Sequence, residues 1–173
     1  PLWLGTNTGG LARFDRATAR FTHFRHDPAN KASLSHDSVY SIVDAGDGTL
    51  WVGTQSGLNR FDIGSGTTER IAVLPAGEPF SGSEYVTAIL PDSDGSLWIA
   101  TVGNRVLHFD VTTKAVESLA LGPDNSQTDR GSDSFALAYD RKGDLWIGTR
   151  AGAFVRSRID GTLTKIVSNP PES

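Results

Sequence analysis

Leu50-Trp51-Val52-Gly53-Thr54, followed across Gln55-Ser56 by Gly57-Leu58-Asn59-Arg60-Phe61-Asp62, is the stretch that decides the fold, because the chain repeats it. The Trp phrase recurs as Leu2-Trp3-Leu4-Gly5-Thr6, Leu97-Trp98-Ile99-Ala100-Thr101 and Leu145-Trp146-Ile147-Gly148-Thr149. The four tryptophans stand 48, 47 and 48 residues apart and are all the chain has. A fixed period of this length marks a repeat architecture in which each copy is one supersecondary unit.

Working outward from the Trp phrase, each unit reads as four short strands. An apolar segment precedes it: Val39-Tyr40-Ser41-Ile42-Val43, Val86-Thr87-Ala88-Ile89-Leu90 and Phe135-Ala136-Leu137-Ala138-Tyr139. Between the two lie Ala45-Gly46-Asp47-Gly48, Asp92-Ser93-Asp94-Gly95 and Asp140-Arg141-Lys142-Gly143. A closing Gly accepts the left-handed backbone that such a hairpin turn requires. The third strand follows at Gly10–Asp15, Gly57–Asp62 and Val106–Asp110. A more polar fourth closes the unit at Arg20–Phe24, Thr68–Val73, Lys114–Leu119 and Leu163–Val167.

Four antiparallel strands per repeat of this length predict an all-β fold, a β-propeller of about four four-stranded blades belonging to a larger seven- or eight-bladed ring. The rise in polarity from first strand to fourth places the first at the central channel and the fourth at the rim. Approximate repeats are 1–32, 33–82, 83–130 and 131–173, the first without its innermost strand. The small residues Gly5, Gly53, Ala100 and Gly148 are expected to let neighbouring sheets approach, and Trp51, Trp98 and Trp146 to be buried between blades. The tail Ser168–Ser173, with two prolines, offers no strand to complete the first unit, so the array is expected not to close a ring alone. Further blades or a second protomer would cover its ends.

With 38% hydrophobic and 21% charged residues the chain is globular in composition. A net charge of −4 gives no basic footprint for nucleic acid. No apolar run approaches a membrane span. There is no cysteine, so neither disulfides nor thiolate chemistry are available.

The phrases Leu50–Thr54 and Gly57–Asp62, together with Phe21-Thr22-His23-Phe24-Arg25-His26-Asp27-Pro28 leading to Ser33-Leu34-Ser35-His36-Asp37-Ser38-Val39, resemble the two-component regulator propeller repeat. The later units depart from it. Ala100 replaces Gly, Arg105-Val106 stands where Gly-Leu is expected, and Gly152–Ser157 loses the Arg-Phe-Asp phrase. The resemblance implies the extracytoplasmic, periplasmic sensor of a bacterial membrane receptor, whose output is a hybrid histidine kinase or a diguanylate cyclase. It also implies that an oligosaccharide or another small molecule is the ligand.

The acidic turns read as hairpins and not calcium loops, since no bidentate Glu follows at the required offset. His23, His26, His36 and His108 lack further ligands at convergent spacing, and His108 takes the place of Arg13 and Arg60 in sister units. The reading is therefore no metal, no cofactor and no catalytic residue. Nucleophile elbow, paired-carboxylate and phosphate-loop motifs are absent. One enzyme class has similar Trp phrases: streptogramin lyases, seven-bladed propellers that use His and Glu at the channel mouth. Glu84 and His36, in loops entering successive blades, are similar to that pair in residue type alone.

Binding has the better geometric basis. The fourth-to-first and second-to-third loops of a blade emerge on one face, and long loops on a rigid scaffold carry recognition. The candidate ligand-binding residues are His36, Asp37, Gln55, Glu84, Tyr85 and Arg150, with Asn7 and Val102 at the positions matching Gln55. The expected function is non-enzymatic ligand recognition, the alternatives being a lyase-like enzyme and a protein-binding scaffold.

Overall fold

A computed structural model describes residues 1–73, 85–102, 105–121, 134–150 and 152–166. Its regular elements are all strands, arranged as four consecutive antiparallel sheets. The first holds β1 (Leu2–Gly5), β2 (Leu11–Asp15) and β3 (Arg20–Phe24). The second holds β4 (Val39–Asp44), β5 (Thr49–Thr54), β6 (Gly57–Asp62) and β7 (Thr68–Ile71). The third runs β8 (Val86–Pro91), β9 (Leu97–Thr101), β10 (Arg105–Phe109) and β11 (Val116–Ala120). The fourth runs β12 (Ser134–Tyr139), β13 (Leu145–Thr149), β14 (Gly152–Arg156) and β15 (Leu163–Ile166). These are β-propeller blades, three complete and one three-stranded. No described helix is long and apolar enough to cross a membrane.

The turns follow from their glycines. Gly48, Gly95 and Gly143 sit at φ of 84°, 85° and 84°, a region an L side chain rarely enters. Each first-to-second turn is also tied by an aspartate. Asp44 accepts the N–H of Gly46 at 2.8 Å, Asp94 that of Ser96 at 2.9 Å and Asp140 that of Lys142 at 2.8 Å. Short side chains that capture nearby N–H groups are what make Asp a turn residue.

The core lies between the sheets. Period-two alternation sends the Trp of each second strand toward the following blade and its flanking apolar residues toward the preceding one. Trp3 and Leu11 thus pack with Leu50, Val52 and Phe61. Trp51 and Leu58 pack with Leu97, Ile99 and Phe109, and Trp98 and Val106 with Leu145, Ile147 and Phe154. Trp3 meets Phe61 at 5.4 Å and 69°, and Trp51 meets Phe109 at 6.1 Å and 80°. Both pairs have the edge-to-face geometry that ring quadrupoles favour.

One burial expectation needs correcting. Trp51 and Trp98 are 3% and 6% exposed, but Trp146 is 39% exposed. Its face belongs to the last described sheet, and among the described residues no further sheet lies against it. On the opposite side Leu2 and Leu4, which no sheet precedes, are 42% and 37% exposed. The four blades form an open arc.

Candidate functional site

The two loop sets that emerge on one face are knitted together by main-chain hydrogen bonds. Val39 donates to the Thr6 carbonyl at 2.8 Å, Gly10 to Asp37 at 2.9 Å, Gln55 to Ser38 at 3.1 Å and Val102 to Tyr85 at 3.0 Å. The second-to-third turns of the first three blades are thereby pinned to the entry of a first strand, so this part of the face is set by sheet packing.

The long segment between β3 and β4 is a packed corner. Leu34 is fully buried within it. His26 Nδ1 lies 2.7 Å from the Leu34 carbonyl oxygen, and the Arg70 guanidinium donates to the same oxygen at 3.1 Å. Ser35 donates its N–H to Asn59 Oδ1 at 2.9 Å, which satisfies a fully buried amide.

Two candidate residues are used up in this bracing. Asp37 accepts the His26 N–H at 2.7 Å, and His36 Nδ1 accepts the Ser38 N–H at 2.9 Å. Both are half-buried. Gln55 and Tyr85 come together, the amide of Gln55 donating to the Tyr85 hydroxyl across two blades. Arg150 is exposed at the end of β13. Glu84 lies outside the described residues.

Tyr40 was missed. Its ring lies 6.3 Å from that of Tyr85 and is exposed, which makes Tyr40, Tyr85 and Gln55 one aromatic and polar patch. The cause is a register shift between Val39 and Ser41 in the pairing of β4 with β5. A bulge of this kind re-aims a side chain. The same shift recurs between Val86 and Ala88 and between Ser134 and Ala136, with Thr87 and Phe135 at the irregular place. The sequence signal was an aromatic residue at the second place of the first strand, where β8 has Thr87.

The opposite face carries titratable groups. Ligating atoms of Asp92, Asp94 and His108 lie within 4.8 Å of one another. Hydrogen bonds already hold them: His108 Nε2 lies 2.6 Å from Ser96 Oγ, Asp94 accepts from that hydroxyl at 2.6 Å, and Asp92 accepts from the Trp98 indole at 3.0 Å. The Ser96 hydroxyl and N–H hold the Asp94 carboxyl below the usual aspartate range. His108 also stacks on Trp98 at 4.4 Å, in the place where Arg60 covers Trp51 at 5.3 Å. The structural role expected of His108 matches this position.

The two component regulator propeller profile matches residues 33–56, 80–103 and 129–151. Three of the four units thus match the two component regulator propeller repeat. Each matched segment spans the entry to a first strand, that strand and the Trp strand, and the first unit holds only the last of these. The matches include the unit with Ala100, so that departure leaves the repeat intact.

The extracellular domain of the putative hybrid two component system BT3049 from B. thetaiotaomicron is 25% identical, with a TM-score of 0.76 over 94% of this chain and 21% of that one. That of BT4673 from the same organism is also 25% identical, with a TM-score of 0.77 over 98% of this chain and 21% of that one. This chain therefore spans about a fifth of their length. Virginiamycin B lyase from Staphylococcus aureus shares the fold at 16% identity, with a TM-score of 0.70 over 98% of this chain and 52% of that one. No curated protein matches the chain.

Proposed function

We propose that this chain is part of the extracytoplasmic, periplasmic sensory region of a two-component-type receptor, where it recognises a ligand without chemical turnover. The observation that carries the reading is the patch of Tyr40, Tyr85 and Gln55, presented on a braced loop face. Rings with polar atoms at their edge suit the faces and hydroxyls of a sugar. An oligosaccharide is the ligand class we favour. The likeness to extracellular domains of hybrid two component systems supports the location. We further infer that additional blades, of this polypeptide or a second protomer, cover the Trp146 face and the Leu2 and Leu4 face.

The test is binding of the protein to an array of glucan, xylan and galactan oligosaccharides. A hit that is lost on Tyr40→Ala and on Gln55→Ala is expected. Absence of any hit, or hits that both variants retain, would overturn the sugar reading. The lyase alternative rests on fold alone, which does not transmit function. Incubation with a type B streptogramin should leave the compound intact, and ring opening by the purified protein would make it an enzyme.

A further inference from the structure

The chain contains three inter-blade interfaces, and the third breaks the rule set by the first two. The third-strand residue paired with the Leu of each Leu-Trp step faces the Trp of the preceding blade. Phe61 pairs with Leu50 and meets Trp3, and Phe109 pairs with Leu97 and meets Trp51. Both phenylalanines are fully buried. At the same register in the fourth sheet, opposite Leu145, stands Arg156. Its guanidinium lies 5.2 Å over the Trp98 ring.

A cleft opens where the other interfaces hold a phenyl ring. Its volume is about 420 Å³, and Asp92, Trp98, Tyr139, Arg156 and Arg158 are among the residues lining it. Small-molecule sites fall in this size range. It opens on the face opposite the Tyr40 patch, at the first-to-second and third-to-fourth turns. Neither Arg156 nor Arg158 forms an ion pair among the described residues. The turn glycine leaves room for Arg158, since a Cβ on Gly143 would lie 2.8 Å from its Cδ.

A second peculiarity coincides with the first. Tyr139 ends its first strand at the register occupied by Asp44 and Pro91 in the sister blades. Its hydroxyl is buried and makes no hydrogen bond of acceptable geometry. A buried polar atom without a partner is costly and uncommon. Here it adjoins the slot from which the repeat's phenylalanine is missing.

We propose that the cleft between the third and fourth blades binds a small organic anion, a carboxylate or phosphate on a hydroxylated body. The guanidiniums of Arg156 and Arg158 hold the anionic group, as planar forks of N–H donors do. The Asp92 carboxylate and the Tyr139 hydroxyl take a neighbouring hydroxyl group. This site is separate from the sugar-binding patch, and neither reading depends on the other.

Calorimetric titration of the full chain with D-glucuronate, D-glucose 6-phosphate, inorganic phosphate and D-glucose tests the proposal. At least one of the two sugar acids should bind, more tightly than both glucose and phosphate and more weakly as salt is raised. Arg158→Ala should weaken that binding about tenfold, the scale of one charge-assisted hydrogen bond. Arg156→Gln keeps the cleft but removes the charge, and Arg156→Phe restores the residue of the other two interfaces. Both should lose binding with the sheet signal intact in circular dichroism, and Arg156→Phe should also raise the melting temperature. Failure of both sugar acids to bind would overturn the proposal. So would glucose or phosphate alone binding as well as they do, or undiminished binding by Arg156→Phe.

Discussion

A Cβ placed on Gly53 would lie 2.6 Å from Val86 Cγ1 of the next blade and 3.0 Å from the Val86 carbonyl oxygen. The same relation joins Gly5 to Val39, at 2.7 and 2.9 Å. The residue two after Trp3 and Trp51 is small because the main chain of the next blade passes against it. The third interface departs from this pair in both partners. Ala100 takes the Gly place, and Ser134 holds the register of Val39 and Val86. Gly53→Ala should therefore destabilise the protein by about 1–3 kcal/mol, the usual cost of overpacking. Gly148→Ala should be close to neutral, because its nearest neighbour would be 3.5 Å away in its own blade. Equal urea midpoints for the two variants would refute this explanation of the small residues.

Truncating the tryptophans should separate them by position. Trp51→Ala removes a side chain that is 3% exposed and should cost about 3–5 kcal/mol. Trp146, at 39% exposure, has much less packing to lose. Denaturant titration of both variants checks this, and a loss at Trp146 as large as at Trp51 would mean that another surface covers it in solution.

The third-to-fourth turns hold a strain that glycine would relieve. Gly66 and Gly161 both have φ of 72°, whereas Ala19 and Lys114, at the matching turn positions, have 54° and 64°. An L residue in the left-handed region carries a penalty of about 1–2 kcal/mol, part of which is offset by the greater unfolded-state entropy of glycine. Ala19→Gly is expected to raise stability by several tenths of a kcal/mol or more. A lower unfolding midpoint for Ala19→Gly would contradict this.

Two pH limits follow from the hydrogen bonds. Asp94 is held below its ordinary range by Ser96, Asp47 by the Thr49 hydroxyl and then Arg60, and Asp15 by the N–H groups of Ala17 and Thr18. Such groups release protons more readily in the folded chain. Their contribution is intact above the unfolded aspartate value of about 3.9 and is lost as pH falls through the lower folded values. Burial, and then the adjacent Asp92 carboxylate, push the Tyr139 phenol up. That contribution is intact below the unfolded value of about 10 and is lost as pH rises through the raised folded value. The difference in phenolate absorbance between the parent and Tyr139→Phe should appear only above pH 10. A difference already present at pH 9 would show that the hydroxyl is open to solvent.

The blades were legible in the sequence because their signals are local. Period-two alternation around each Trp, a glycine at a left-handed turn position and a constant spacing act within one repeat and need no knowledge of neighbours. The loop face was legible in part: Gln55 and Tyr85 were named as candidates, and a hydrogen bond joins their side chains. Tyr40 was not, because a bulge in strand pairing aims it and alternation alone cannot signal that.

The sequence by itself determined the unit, its four strands and the order in which they pair. The loss of the Arg-Phe-Asp phrase in the last unit was visible there too, as a departure from a pattern. Only the tertiary structure decided what that departure does. Phe61, Phe109 and Arg156 occupy one register, but what each touches is the tryptophan of the preceding blade, 58 residues away in sequence. Contacts between repeats depend on the residues of both faces at once, so the cleft beside Arg156, the buried hydroxyl of Tyr139 and the exposed face of Trp146 arise only when the sheets are stacked.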